Sequence, residues 1–246
     1  MTILEFSNEF DIYYNSIASN SAPGIDLYEK SVYLTKAQLE IVKNYFNPNG
    51  NKYKEGFESS TKRRYDLKEL IVDFKGTIKI STTDTIDSNS QIFSIPSDMF
   101  ITLQESATIT SSDTCLNNKV INVKPVAHDE YNIQKGNPFK KPDSTVIWKL
   151  DIASNTSNQL VELISPYSIS KYNLRYIKKP EPIVLTNLTT DFSGESLSID
   201  GIATSQTCKL SESLHREIID RAVELALSDY KQNNLAVKTQ LNSRNE

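Results

Sequence analysis

Gln91-Ile92-Phe93-Ser94-Ile95-Pro96-Ser97-Asp98-Met99-Phe100-Ile101-Thr102-Leu103 is the stretch whose reading sets the fold class. Two short runs of β-branched and aromatic residues flank a Pro-Ser-Asp break, the pattern of strands joined by a turn. The second run admits an alternative, a short helical turn from Met99, because Ser97 and Asp98 are good helix caps. Outward from this stretch the same kind of run recurs at residues 70–74, 77–80, 119–126, 145–152, 159–164, 173–177 and 183–185, separated by Gly, Pro, Asp and Ser. Many short strands without helical runs between them predict an antiparallel sheet or sandwich rather than a βαβ fold.

Helical spacing takes over at both ends. Thr2-Ile3-Leu4-Glu5 fits a capping box, and Ile3, Phe6, Phe10, Tyr13, Tyr14 and Ile17 follow as one apolar stripe. Asn20 to Gly24 breaks that helix, and Asp26-Leu27-Tyr28-Glu29 offers a second box that opens a short segment. Thr35-Lys36-Ala37-Gln38 is the stronger start, because Leu34 and Leu39 add a hydrophobic staple. Asn47-Pro48-Asn49-Gly50 stops this helix, and residues 51–65 read as a polar loop ending in Thr61-Lys62-Arg63-Arg64.

Near the other end, Leu210, Leu214, Ile218, Ile219, Ala222 and Val223 begin a wide apolar face that continues to Tyr230. Ser211 or Ser213 supplies its cap, and Glu217 with Arg221 is spaced for an i,i+4 ion pair. The Asn- and Gln-rich tail from Gln232 is expected to be frayed or ordered by a partner. The expected class is α+β, in three parts: an N-terminal helical segment over 1–60, an antiparallel β domain over 61–209, and a C-terminal helix with its polar tail over 210–246.

Composition narrows the function. The 246 residues are 38% hydrophobic and 24% charged, with 27 Lys and Arg against 31 Asp and Glu. That balance does not make the whole chain a nucleic-acid sponge. Only 7 glycines occur, so phosphate-cradling loops and nucleophile elbows are disfavoured. Cys115 and Cys208 form no C-x-x-C, and they pair only if the fold happens to join them. The first five residues lack the basic and apolar regions of a signal peptide, and no run approaches a membrane span. A soluble protein of a reducing compartment is expected, and the sequons at Asn155 and Asn187 are background matches.

Charge is unevenly distributed. Residues 111–182 hold 10 Lys and Arg against 7 Asp and Glu, whereas residues 1–60 hold 5 against 8 and residues 183–246 hold 6 against 9. Complementary faces on one molecule suit head-to-tail contact between copies, because heterologous interfaces close rings.

No catalytic constellation emerges. His128-Asp129-Glu130 cannot converge on one point along a strand, where side chains alternate, and reads as a solvated loop. His215 is expected at a surface or interface, and capping accounts for Ser211 and Ser213 without a nucleophile. No carboxylate pair is singled out by spacing. Arg63-Arg64 and Lys140-Lys141 are basic runs that allow incidental contact with nucleic acid. Tyr167, Tyr172 and Tyr176 with Lys171 and Arg175 fit a half-buried strand and a protein interface about equally. The basic loop at 129–144 is longer than a plain connection, and its Ile133 and Phe139 suit an arm that docks on a neighbour.

The stretch DEYNIQKGNPFKKP (residues 129–142), followed by Ile147-Trp148-Lys149-Leu150, resembles virion neck proteins of crAss-like gut bacteriophages. So do YNLRYIKKPEP (172–182), the ending from Leu214-His215-Arg216-Glu217 to Glu224, and the opening from Phe10 to Gly24 with Leu34-Thr35-Lys36-Ala37-Gln38. The resemblance implies a head-to-tail connector or ring protein of the virion neck or tail, made in the bacterial host cytoplasm. Such proteins stack in multiple copies, often twelve, below the portal, around the DNA exit channel. Short-tailed phage adaptors commonly join helices to a β-sheet domain.

The family brings no catalytic residues, metal or cofactor. The expected partners are further copies of the chain, the portal and other neck or tail proteins, with non-specific contact to packaged DNA and none to membrane. The subunit-interface candidates are Lys135, Phe139, Lys140 and Lys141 in the loop, Lys171, Arg175 and Tyr176 on the strand, and Arg216 and Arg221 on the last helix. The alternative is a β-sandwich binding module for glycan or a host surface; against it, Trp148, the single tryptophan, lies in an alternating strand and is expected to be buried.

Overall fold

The computed structural model describes residues 1–17, 24–47, 56–76, 79–80, 85–152, 159–191 and 197–230. The break at 20–23, the stop at 48–50, residues 51–55, Asn155 and the polar tail lie outside them. The chain divides into two compact units, residues 1–70 with 180–246, and residues 71–179.

In the first unit, α1 (Ile3–Ile17) opens on the expected box: Thr2 N–H donates to Glu5 Oε2 at 2.7 Å, and Glu5 N–H donates to Thr2 Oγ1 at 3.3 Å. The next helix, α2 (Leu27–Phe46), starts earlier than the stronger-looking signal at Thr35. Asp26 is its cap, with the reciprocal Glu29 bond in place. Thr35 lies mid-helix, where its hydroxyl turns outward to donate to the Ile183 carbonyl at 3.3 Å and accept from its N–H at 3.1 Å. Ser31 does the same for the N–H of Leu185 at 2.9 Å. Those bonds explain why residues 183–185 form no strand beyond a single bridge from Val184 to Gln206. The segment is tied to a helix, not to a sheet.

The basic end of the expected 51–65 loop is instead helical, with a 3₁₀ turn at Phe57–Ser59 and α3 (Thr61–Asp66). After the four-residue α5 (Leu188–Asp191) comes α6 (Glu212–Tyr230), which packs against both α1 and α2. Phe6, Phe10, Leu34, Ala37, Leu214, Ile218, Ile219 and Ala222 are all 0% exposed, and they form this helical core. His215 belongs to the core as well, where a surface or interface position is expected. Its ring centroid is 5.1 Å from that of Phe6, and its two nitrogens lie 3.2 Å from the Met1 amino group and 3.1 Å from the Leu210 carbonyl. Burial and the ammonium beside it hold its pKa below the ordinary value.

Neither Ser213 nor Arg221 follows local spacing. Ser213 Oγ donates to buried Asp66 at 2.6 Å, and Asp66 also accepts from Tyr45 Oη at 3.2 Å. Arg221 reaches Glu40 of α2 at 2.8 Å and Glu224 at 2.9 Å, while Glu217 pairs with Lys62 at 3.3 Å.

The described residues of the second unit form one eight-stranded sheet. Its strands are β1 (Ile71–Gly76), β2 (Lys79–Ile80), β3 (Ser90–Ile95), β4 (Met99–Thr110), β5 (Val120–Pro125), β6 (Val146–Ile152), β7 (Gln159–Ile164) and β8 (Ser168–Lys178). They lie in the order β1-β8-β4-β5-β6-β7-β3-β2. Met99 begins a strand and not a helical turn. Every pairing is antiparallel except β5 with β6, which run parallel from Asn122 opposite Val146.

The sheet curls on itself. Phe93 on β3 and Tyr172 on β8 are separated by four strands in the sheet order, yet their rings stand 5.9 Å apart. Gln91 bridges the same two ends, accepting from Ile169 N–H at 2.9 Å and donating to the Tyr167 carbonyl at 3.2 Å. The enclosed core includes Phe93, Ile109, Ile147, Leu163, Ile169 and Tyr172. Beside it the buried Lys149 ammonium meets Glu105 at 2.6 Å, and Tyr172 Oη donates to the same carboxylate oxygen at 2.7 Å.

Candidate subunit interface

The parallel pairing of β5 and β6 accounts for the length of the loop at 129–144. Parallel neighbours need a crossover of a dozen or more residues, and this segment is that crossover. It contains a short helix, α4 (Tyr131–Lys135), followed by turns through Asn137 to Lys140.

Its base is fixed. Tyr131 is 4% exposed and packs against Trp148, and its hydroxyl donates to Asp87 Oδ2 at 2.9 Å. Lys135 Nζ meets the same oxygen at 3.0 Å. The Asn89 backbone N–H, Lys135 and Tyr131 together hold the Asp87 carboxyl down to a pKa of about 2, despite the opposing effect of burial. Its tip, in contrast, is bare: Phe139 is 97% exposed and Ile133 76%. A phenylalanine displayed this fully gains nothing for the isolated subunit, because apolar surface left in water contributes no burial energy.

Lys140 and Lys141 are exposed beside Phe139. Two open clefts flank the tip. One, of about 290 Å³, is lined by Lys124, Phe139, Lys140 and Lys141; the other, of about 420 Å³, by Asp87, Lys135, Lys141 and Trp148. Trp148 itself is 2% exposed, so it offers no aromatic platform to a sugar.

The other candidates lie elsewhere and are mostly engaged within the subunit. On β8, Lys171 and Arg175 face solvent, but Arg175 makes a two-point bond with Asp73 opposite it on β1, at 2.6 and 3.1 Å. Tyr176 is 2% exposed, as the strand alternation places it inward with Tyr172 and Leu174. Its hydroxyl donates to Asp98 at 2.9 Å, and burial pushes its pKa up to about 12. On α6, Arg221 is consumed by Glu40 and Glu224, whereas Arg216 is exposed and lines an open cleft with Met1, Glu5, Glu9 and Glu212.

The loop therefore gathers Lys135, Phe139, Lys140 and Lys141, with Lys135 serving as a strut. Sequence reasoning missed Asp87 and Tyr131, whose partnership spans 44 residues and leaves no local spacing signal. Both cysteines are free thiols, Cys115 exposed and Cys208 buried. Among the described residues no group of three or more His, Cys, Asp or Glu side chains is placed to hold a metal ion, and no helix is long and apolar enough to cross a membrane.

The described residues thus form an α+β chain that displays a bare apolar tip on a braced basic loop. Comparison with known families gives that class its identity. Residues 1–238 match the family of phage tail ring protein 3/4, and the chain belongs to that family. It is 41% identical over 249 residues to "Ring protein 4/5" of Bacteroides phage crAss001, covering 100% of both chains. It is 34% identical over 228 residues to "Ring protein 3" of the same phage, covering 92% of this chain and 95% of that one. The chain is thus a structural ring protein of the virion, as its resemblance to crAss-like neck proteins implied.

Proposed function

We propose that this chain is a non-enzymatic subunit of the phage head-to-tail connector. It assembles, in twelve copies, into a ring below the portal that joins capsid to tail and surrounds the DNA channel. The observation that carries this reading is the family match along nearly the whole chain, residues 1–238. The loop at 129–144 supplies the mechanism: it presents an apolar tip and two lysines to an adjacent subunit. A ring repeats each contact at every interface, so modest per-contact energies hold the assembly. The acidic ends and the basic middle of the chain favour head-to-tail association over random clustering.

Native mass measurement and electron microscopy of the purified chain, alone and mixed with the portal of the same phage, test this. A closed ring near twelve times 27.8 kDa that binds the portal is the expected result. A chain that stays monomeric at high concentration and ignores portal and tail proteins overturns it.

A further inference from the structure

Among the described residues, the four most exposed large hydrophobic side chains fall into two pairs. Phe139 at 97% and Ile133 at 76% stand on the basic loop, and Leu4 at 69% and Ile12 at 66% stand on α1. Leu4, Asn8 and Ile12 follow one another at i, i+4 and i+8, so they form one outward stripe on that helix. Glu5 and Glu9 occupy the same side of the helix, and with Glu212 of α6 they line an open cleft of about 460 Å³ that also holds Arg216 and Met1, so three carboxylates there face the Arg216 guanidinium and the Met1 ammonium. Oε2 of Glu9 is buried there without a hydrogen-bond partner. A carboxylate oxygen removed from water and left unpaired is costly, and the carboxylates of this cleft outnumber its cations.

These two surfaces match in both respects that decide an interface. Each couples a pair of bare apolar side chains to charge, and the charges are opposite: lysines beside Phe139, carboxylates beside Leu4 and Ile12. We propose that the loop of one copy docks on the outer face of α1 in a second copy, with Phe139 and Ile133 covering Leu4 and Ile12 and with Lys140 and Lys141 entering the cleft at Glu9 and Glu212. The contact uses two different patches of the same chain. It is therefore heterologous, the kind that propagates around a ring. This inference rests on the ring reading above and specifies the surface that receives the loop.

Zero-length carbodiimide coupling of lysine to carboxylate tests it on the wild-type protein. Rings are assembled from equal amounts of ¹⁴N- and ¹⁵N-labelled chains, coupled, and digested for mass spectrometry. The expected product joins the peptide containing Lys140 or Lys141 to the peptide containing Glu9 or Glu212, with mixed isotopes in about half of the pairs, as random mixing requires. Rings that form while both lysines couple only to other carboxylates, or only within one isotope, overturn the docking surface and leave the ring reading intact. No ring at all overturns both.

A second measurement avoids dependence on coupling chemistry. Lys140→Glu with Lys141→Glu is expected to reduce ring yield at least tenfold, and adding Glu9→Lys with Glu212→Lys is expected to restore most of it. Circular dichroism checks that each variant remains folded. Loss without recovery in a folded quadruple variant counts against the pairing.

Discussion

Tyr131 stands edge-on to Trp148, the two ring centroids 6.2 Å apart and their planes at 78°. This is an edge-to-face aromatic pair at ordinary separation. It joins the crossover between β5 and β6 to the sheet that the crossover serves, so the bare tip at Phe139 is carried on a fixed base.

Trp148 is the sole tryptophan, which makes the joint readable by fluorescence. Tyr131→Ala removes a nearly buried aromatic ring and is expected to cost about 3–5 kcal/mol, as large aromatic truncations do. It should also move the Trp148 emission to longer wavelength as water reaches the indole. Tyr131→Phe keeps the ring and loses only the hydrogen bond to the Asp87 carboxylate, at about 1.5–3 kcal/mol without the spectral change. Urea unfolding followed by emission gives both values. An unshifted spectrum in Tyr131→Ala would falsify the packing described.

The second support of the loop is electrostatic, so it carries a pH signature. Asp87, held at a pKa of about 2 in the fold by the Asn89 N–H, Lys135 and Tyr131, returns to an ordinary aspartate value of about 3.9 in the unfolded chain. Between those values the unfolded chain binds more protons, so the contribution is fully present above about pH 4 and is lost as pH falls towards 2. Asp87→Asn should therefore lower the urea midpoint most at pH 5 and above, with the gap to wild type closing as pH falls towards 2. A gap independent of pH would show that the charge on Asp87 is irrelevant to the brace.

How far the sequence discloses such features depends on whether they are local. The Thr2–Glu5 and Asp26–Glu29 boxes are complete within four residues, and both form. Strand runs are equally local, and the β-branched and aromatic runs on either side of Pro96-Ser97-Asp98 mark β3 and β4. Thr35 shows where this stops: its sequence context is that of a cap, but the helix already has one at Asp26. The hydroxyl is then spent on Ile183, 148 residues away. Arg221 likewise prefers Glu40, 181 residues distant, over the i,i+4 partner spacing offers. Periodicity reports which face of an element is apolar, and is silent on which distant element covers it.

The same limit shaped the candidate interface. Tyr176 with Arg175 has the composition of a binding surface, yet strand alternation turns the tyrosine to the enclosed face of the sheet, and only the arginine remains outside. His215 is expected at a surface or interface, whereas its place on the apolar side of α6 buries it beside Phe6. The loop at 129–144 was visible from its length and lack of period. Its topological cause, a parallel pair inside an otherwise antiparallel sheet, depends on pairings that no single stretch encodes.

Asp66 gives a stability test confined to the helical unit. It is 1% exposed and accepts from Tyr45 at 3.2 Å and Ser213 at 2.6 Å, tying α2 and α6 to the end of α3. Asp66→Ala leaves two hydroxyls without their acceptor, and each is expected to cost about 1–3 kcal/mol where water cannot replace the carboxylate. Adding Tyr45→Phe and Ser213→Ala removes the stranded donors and should recover part of the loss. If the triple variant is no more stable than Asp66→Ala, the two hydroxyls were not stranded and the network is not what holds this junction.

Assembly provides the last test, because it separates folding from association. Lys140 and Lys141 are exposed, and Phe139 beside them is almost wholly in water. Replacing them removes nothing that the isolated subunit uses, so surface substitutions here should alter stability by no more than about 0.5 kcal/mol. In an interface the same three residues count differently: burying the ring is worth about 1.5–3 kcal/mol per contact, and the cost of like charge rises where water is excluded. Phe139→Ser, and separately Lys140→Glu with Lys141→Glu, should leave circular dichroism and the urea midpoint unchanged while light scattering shows a marked fall in ring yield. The charge-reversed pair should recover partly in high salt, through screening, and Phe139→Ser should not. Normal rings from both variants would mean that the tip faces solvent in the assembly and that subunits meet through other surfaces.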